Sequence, residues 1–126
     1  MSSLVLFASD AARTSAFYLA IGVPLQPEDH GEGPIHMAAE ISDVHFAVYQ
    51  ADGPPQRSVG WRAAGSDFPG LYVESLDEVV ARLEQIGAPL LVAHQERPWG
   101  CRVVAQDPDG RAVEVNQNGH CPEQPS

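Results

Sequence analysis

The strongest constraint in this chain of 126 residues is that it spells one order of elements twice. A repeat of this kind makes each copy a supersecondary unit whose apolar face has to be covered by a neighbour. In the first half, the apolar run LVLFASD leads into DAARTSAFYLAIG. There Asp10 is placed to cap a helix, Phe17 and Ile21 share one face, and Gly22 stops it. In the second half, GLYVES leads into SLDEVVARLEQIG. There Ser75 and Glu78 form a capping box, Val79, Leu83 and Ile86 share one face, and Gly87 is the stop. Three strand-like pieces follow each helix: VPLQPED, PIHMAAEI and VHFAVYQ, then APLLVAHQE, CRVVAQ and RAVEVNQ. The separators HGEG, SD, RPWG and DPDG are turn chemistry, with glycine for positive φ, proline for fixed φ and aspartate for side-chain turn bonds.

The expected class is α+β, with two βαβββ modules forming a cup-shaped eight-stranded mixed sheet and the helices outside. The modules are expected over 1–52 and 68–118, a linker rich in glycine, proline and small residues over 53–67, and a flexible tail over 119–126. A net charge of −10, from 17 acidic and 7 basic residues, argues against a nucleic-acid partner, whose phosphates need a basic face. The balance of 44% hydrophobic and 19% charged residues suits a soluble globular chain. No apolar run approaches the roughly 20 residues that span a bilayer, and MSSLVLFASD lacks the basic region of a signal peptide. No membrane contact and a cytoplasmic location are therefore expected. In that compartment a reduced pair is the expectation for Cys101 and Cys121, which have no metal-ligand spacing, with a disulfide between them left open.

Alternation along the strands selects a lining for the concave face. It assigns Phe7 with Ser3, Val5 and Ser9; His45 with Ala47 and Tyr49; Phe68 with Tyr72 and Glu74; and Glu114 with Ala112 and Asn116. Trp99 is expected at the rim and Trp61 over the other end, while Arg102 and Arg111 are the candidate ion partners of Glu114. Arg102 is counted with the binding set. Rings, small apolar groups and a few polar handles are the make-up of a pocket for an organic molecule. Any single ring among them, Phe7 or Phe68 for example, can equally be ordinary core.

The order of elements, with FYLAIG early and RPWGCRVVAQDPDGRAVEV late, resembles the vicinal oxygen chelate superfamily over roughly Leu4 to Gln117. That group contains glyoxalases, extradiol dioxygenases and bleomycin-resistance proteins. The resemblance implies a divalent ion held by His or Glu on the first and last strands of each module. Carried over by position, those places are Ser3, Ala47, Phe68 and Glu114. Only Glu114 is a usable donor, so no metal, no cofactor and no catalytic residue is expected. His30, His36, His45 and Glu40 cluster in the sequence, and His36 shares a strand face with Glu40, but histidines at i,i+4 on a strand would stand about 13 Å apart, too far to chelate together. They are read as edge or surface residues.

The function expected is metal-free sequestration of an aromatic or peptide antibiotic by a homodimer, which is drug resistance by binding alone. The alternative is a metal-dependent glyoxalase- or dioxygenase-like enzyme with a relocated active site. A third reading is a scaffold for protein contact.

Overall fold

The computed structural model describes residues 2–28, 36–53, 60–63, 66–119 and 121. The HGEG turn, Pro34 and Ile35, linker residues 54–59 and 64–65, and the tail apart from Gly119 and Cys121 lie outside the described residues. The chain divides into two compact units, residues 1–57 and 58–126. The first contains β1 (Ser2–Ala8), α1 (Ala11–Ala20), β2 (Gln26–Glu28), β3 (His36–Ile41) and β4 (Val44–Gln50). The second contains β5 (Gly70–Tyr72), α2 (Leu76–Gln85), β6 (Leu90–Arg97), β7 (Gly100–Gln106) and β8 (Ala112–Asn118).

Each unit holds one four-stranded mixed sheet, ordered β1-β4-β3-β2 and β5-β8-β7-β6. The first strand of each pairs parallel to the last, and the other pairings are antiparallel. The repeat legible in the sequence is therefore a repeat in space, and the class is α+β. The second strand of the first unit is shorter than VPLQPED suggests. Pro24 precedes it and Pro27 lies inside it, and a strand carrying proline is confined to a sheet edge.

Both helices begin as their caps dictate. The Asp10 carboxylate accepts from Arg13 N at 3.1 Å, and Ser75 Oγ accepts from Glu78 N at 3.3 Å. A further cap was not read from the sequence. Gln50, at the end of β4, accepts from Ala11 N at 3.0 Å; Gln117, near the end of β8, accepts from Leu76 N at 2.7 Å. The glutamines that close VHFAVYQ and RAVEVNQ thus tie the last strand of each unit to the first turn of its helix.

In α1, Phe17, Tyr18 and Ile21 are buried, with Tyr18 5.1 Å from Phe46 ring to ring. In α2 the buried face is Leu76, Val79 and Leu83. Ile86, expected on that face, is the C-cap of α2 and is exposed, whereas Ile21, the C-cap of α1, is buried. Each helix covers the side of its sheet that carries the aliphatic strand residues, Leu6 and Val48 in one unit and Val103, Val113 and Val115 in the other. Burying each such side chain contributes about 1.5–3 kcal/mol. The opposite side of each sheet is left for other work.

Cys101 and Cys121 form a disulfide, which corrects the expectation of reduced thiols. The chain leaves β8 through Gly119, at φ +79°, and turns back so that the two Cα atoms stand 6.2 Å apart. Cys121 is accordingly buried rather than loose in the tail.

Two turns fix where the β7–β8 hairpin presents its residues. In DPDG, the buried Asp107 carboxylate accepts from Asp109 N at 3.0 Å, Arg111 N at 2.9 Å and Arg111 Nη1 at 2.6 Å. At RPWG, Gly100 runs so close to β8 that a Cβ there would overlap the carbonyl oxygen of Gln117. Gly100→Ala is expected to lower unfolding free energy by at least about 2 kcal/mol. Urea denaturation checks it, and an unchanged midpoint would show that the two strands do not approach there as described.

Candidate functional site

In the first unit, the side of the sheet away from α1 carries Ser3, Val5 and Phe7 from β1, opposite His45, Ala47 and Tyr49 of β4. β3 adds His36, Ala38 and Glu40, and β2 adds Gln26 and Glu28. Phe7, a large apolar ring on the edge strand β1, is 62% exposed. It lies 5.9 Å from the ring of Tyr49, which stacks on His36 at 4.1 Å and 15°. Tyr49 Oη stands 3.3 Å from His36 Nε2. His45 Nδ1 is 2.6 Å from Glu40 Oε1, and its Nε2 is 3.7 Å from Glu28 Oε2. An aromatic stretch thus runs along one part of this face and a histidine–carboxylate group along another.

In the second unit, the side away from α2 carries Tyr72 of β5, Glu114 and Asn116 of β8, and Arg102 of β7. Tyr72 is 64% exposed and meets Trp99 edge to face, with ring centroids 6.1 Å apart. Trp61 and Phe68 form a second edge-to-face pair at 5.5 Å, with the Arg62 guanidinium 6.0 Å from the Trp61 ring.

Glu114 is not a free carboxylate. Arg102 Nη1 donates to its Oε2 at 2.5 Å, and Asn116 Nδ2 donates to its Oε1 at 2.9 Å. Arg102 Nε donates in turn to Gln95 Oε1 at 3.0 Å, which also accepts from Arg97 Nη2 at 3.1 Å. Of the two arginines named as partners for Glu114, Arg102 is the one; Arg111 is bound to Asp107. Asn116 also donates to Leu71 O at 3.3 Å, while its Oδ1 is buried with no protein partner among the described residues. A buried acceptor without a donor is costly unless something else supplies one.

The expected lining therefore falls into separate groups: Phe7 with Tyr49, His45 with Glu40 and Glu28, Tyr72 with Trp99, Trp61 with Phe68, and Arg102 with Glu114. Glu74 joins none of them. β5 ends at Tyr72, so Glu74 is exposed in the bend before Ser75 and strand alternation does not place it. Ser9 likewise lies past the end of β1. His30 is outside the described residues. Sequence reasoning missed Glu28, Gln95 and the orphaned Asn116 oxygen. Only Gln95 left a signal, since it faces Arg102 across the β6–β7 pair.

The four places that the family resemblance implies for an ion differ in donor chemistry. Ser3 and Ala47 lie on adjacent strands of one sheet and offer a hydroxyl and a methyl group. Phe68 offers a ring, and Glu114 offers a carboxylate already neutralised by a guanidinium. A divalent ion has no competent donor set there.

Comparison with known proteins places this arrangement. The sequence profile described as the Glyoxalase/Bleomycin resistance protein/Dioxygenase superfamily matches residues 1–115. No curated protein matches significantly. Among solved structures, the glyoxylase/bleomycin resistance protein/dioxygenase domain from Frankia sp. EAN1pec is similar, with a TM-score of 0.72 and 22% identity over 94% of this chain and 91% of that one. TnmS3, an antibiotic binding protein from Streptomyces sp. CB03234, gives a TM-score of 0.67 and 20% identity over 94% and 95% of the two chains. A lactoylglutathione lyase from Agrobacterium tumefaciens gives 0.60 and 22% over 93% and 92%. At these identities the likeness to the solved structures is one of fold.

The Arg102–Glu114 pair makes a direct prediction. Both side chains are less than a quarter exposed, so Arg102→Leu strands a carboxylate in a desolvated place. The variant is expected to lose about 2 kcal/mol of stability, and Arg102→Leu with Glu114→Leu to regain most of it. Equal loss in the single and double variants, read by chemical denaturation, would show that the pair is not coupled.

Proposed function

The chain belongs to the glyoxalase/bleomycin resistance protein/dioxygenase superfamily, and from that premise we propose a binding protein that sequesters a planar aromatic or peptide antibiotic. It does so without an ion at the family's metal position. The observation that carries the reading is a pairing of loss and gain. The inherited places hold Ser3, Ala47, Phe68 and an arginine-bound Glu114, while the same faces expose large rings, Phe7 and Tyr72 most of all. Exposed rings clustered on one side of a sheet mark a binding surface.

Each unit then contributes stacking platforms. Tyr49 with Phe7, and Tyr72 with Trp99, offer ring faces and edges worth about 0.5–1.5 kcal/mol per aromatic pair beyond burial. The Arg102–Glu114 pair discriminates against uncompensated charge beside these rings. Sequestration requires affinity and abundance only. TnmS3 is a neighbour in fold that binds an antibiotic, and the lyase neighbour keeps an enzymatic reading in view. The donor set weighs against the latter at the inherited position.

A homodimer is part of the proposal, as is a cytoplasmic location. The Cys101–Cys121 disulfide is the observation that weighs against the latter, since thiols there are kept reduced. Among the described residues, no helix is long and apolar enough to cross a membrane.

The experiment is a melting-temperature screen of aromatic and peptide antibiotics, followed by tryptophan fluorescence titration. A guest present at about 100 times its Kd adds roughly 2.7 kcal/mol of stability. Tyr72→Ala and Trp99→Ala are expected to weaken a hit about tenfold each. A panel without hits, or a hit indifferent to both variants, contradicts the reading.

A further inference from the structure

We propose that Glu28, His36 and His45, brought together from β2, β3 and β4 in the first unit, form a site for a divalent transition-metal ion, separate from the family's inherited position. The three residues offer ligand atoms that all lie within 4.8 Å of one another. Glu28 Oε2 stands 3.9 Å from His36 Nε2 and 3.7 Å from His45 Nε2. The expectation that these histidines stand apart counted backbone rise alone. Ala38 and Ala47 pair with each other between the two imidazoles on the same face, and their small side chains let the longer ones lean together. Glu28 then closes the group from the edge strand, opposite His36 in the β2–β3 register.

The surroundings are those of a ligand set. Glu40 Oε1 stands 2.6 Å from His45 Nδ1, and a carboxylate accepting there keeps the imidazole proton on Nδ1 and leaves Nε2, on the Glu28 side, as the nitrogen for an ion. A carboxylate behind a histidine in this way fixes the tautomer and raises its basicity as a metal ligand. His36 is buried, and its ring plane is held by the stacked Tyr49. The Tyr49 hydroxyl, 3.3 Å from His36 Nε2, is the group an ion would displace. Ligand bonds of about 2.0–2.1 Å in a tetrahedral site put donors roughly 3.3 Å apart. The set therefore has to draw in by about 0.5 Å at the carboxylate, and more across the widest pair. Rotation of Glu28 and His45, each more than a quarter exposed, supplies that movement.

Two imidazoles and one carboxylate select borderline ions such as Zn²⁺, Co²⁺ and Ni²⁺ over Mg²⁺ and Ca²⁺, which want oxygen. Three protein donors leave a coordination position open. A hollow of about 390 Å³, lined by Glu28, Glu40 and His45 with Pro24, Pro27 and Ala39, borders the group and gives that position room for water or for an oxygen of a bound molecule. The site uses the first unit only and stands independently of the antibiotic reading.

The test is titration of the untagged full chain, stripped with chelator, by calorimetry with Zn²⁺ and by visible absorption with Co²⁺. One ion per chain is expected, with a Kd of about 10 µM or tighter. Glu28→Gln and His45→Gln should each weaken it at least tenfold without changing the melting temperature of the metal-free protein. Glu40→Gln should weaken it about tenfold, the usual effect of losing the residue behind a ligand. Glu114→Gln should leave it unchanged. No stoichiometric binding at about 100 µM ion, or binding that ignores Glu28→Gln and His45→Gln, overturns the site and shows an ordinary hydrogen-bonded cluster. Either result leaves the aromatic-guest screen to be judged by its own variants.

Discussion

Arg102 and Glu114 stand diagonally on neighbouring strands of the second sheet, and the chemical character of that sheet's open side follows from their ion pair. A carboxylate whose charge is compensated by a guanidinium, with no companion ligand at the other inherited places, is a poor holder of a divalent cation. Had Arg102 been a small residue, Glu114 would remain a candidate ligand with three absent companions. With Arg102 present, that part of the face becomes a neutral, hydrogen-bonded floor beside exposed rings. The same ion pair accommodates an acid on a strand whose residues on either side, Ala112, Val113, Val115 and Asn116, are buried.

The duplicated architecture makes such a floor possible. In each unit, one helix covers one side of one sheet, and a glutamine at the end of the last strand holds the helix by its first turn. Stability is concentrated on the covered side, where Phe17, Tyr18, Leu76 and Leu83 meet the strand aliphatics. The open side is released from packing duty and can carry Phe7, Tyr72, a histidine–carboxylate group or an ion pair without disturbing the core. Turns do the positioning. Asp107 organises the loop that delivers β8, and the close passage of Gly100 beside Gln117 sets Trp99 against Tyr72.

Much of this was legible in the sequence because period and turn chemistry are local. Asp10, Ser75, the stops at Gly22 and Gly87, and the strand faces bearing Phe7, Tyr49 and Glu114 follow from spacing alone. Features that depend on pairing between distant segments were not legible. Glu28 acquires its meaning only when β2 aligns with β3, and the Cys101–Cys121 bridge only when the chain turns back after Gly119. Strand alternation failed at Glu74 because the strand stops at Tyr72, and helical periodicity failed at Ile86 although it held at Ile21, the matching C-cap of α1. At Glu74 the period was right and the boundary decided the outcome.

Anomalous diffraction from crystals soaked in cobalt or zinc tests the central claim most directly, because it locates any ion without assuming which residues bind it. The account predicts no anomalous peak within coordinating distance of Glu114 and an intact contact between that carboxylate and Arg102. A well-occupied peak on the Glu114 oxygens, with the guanidinium swung away, would contradict it.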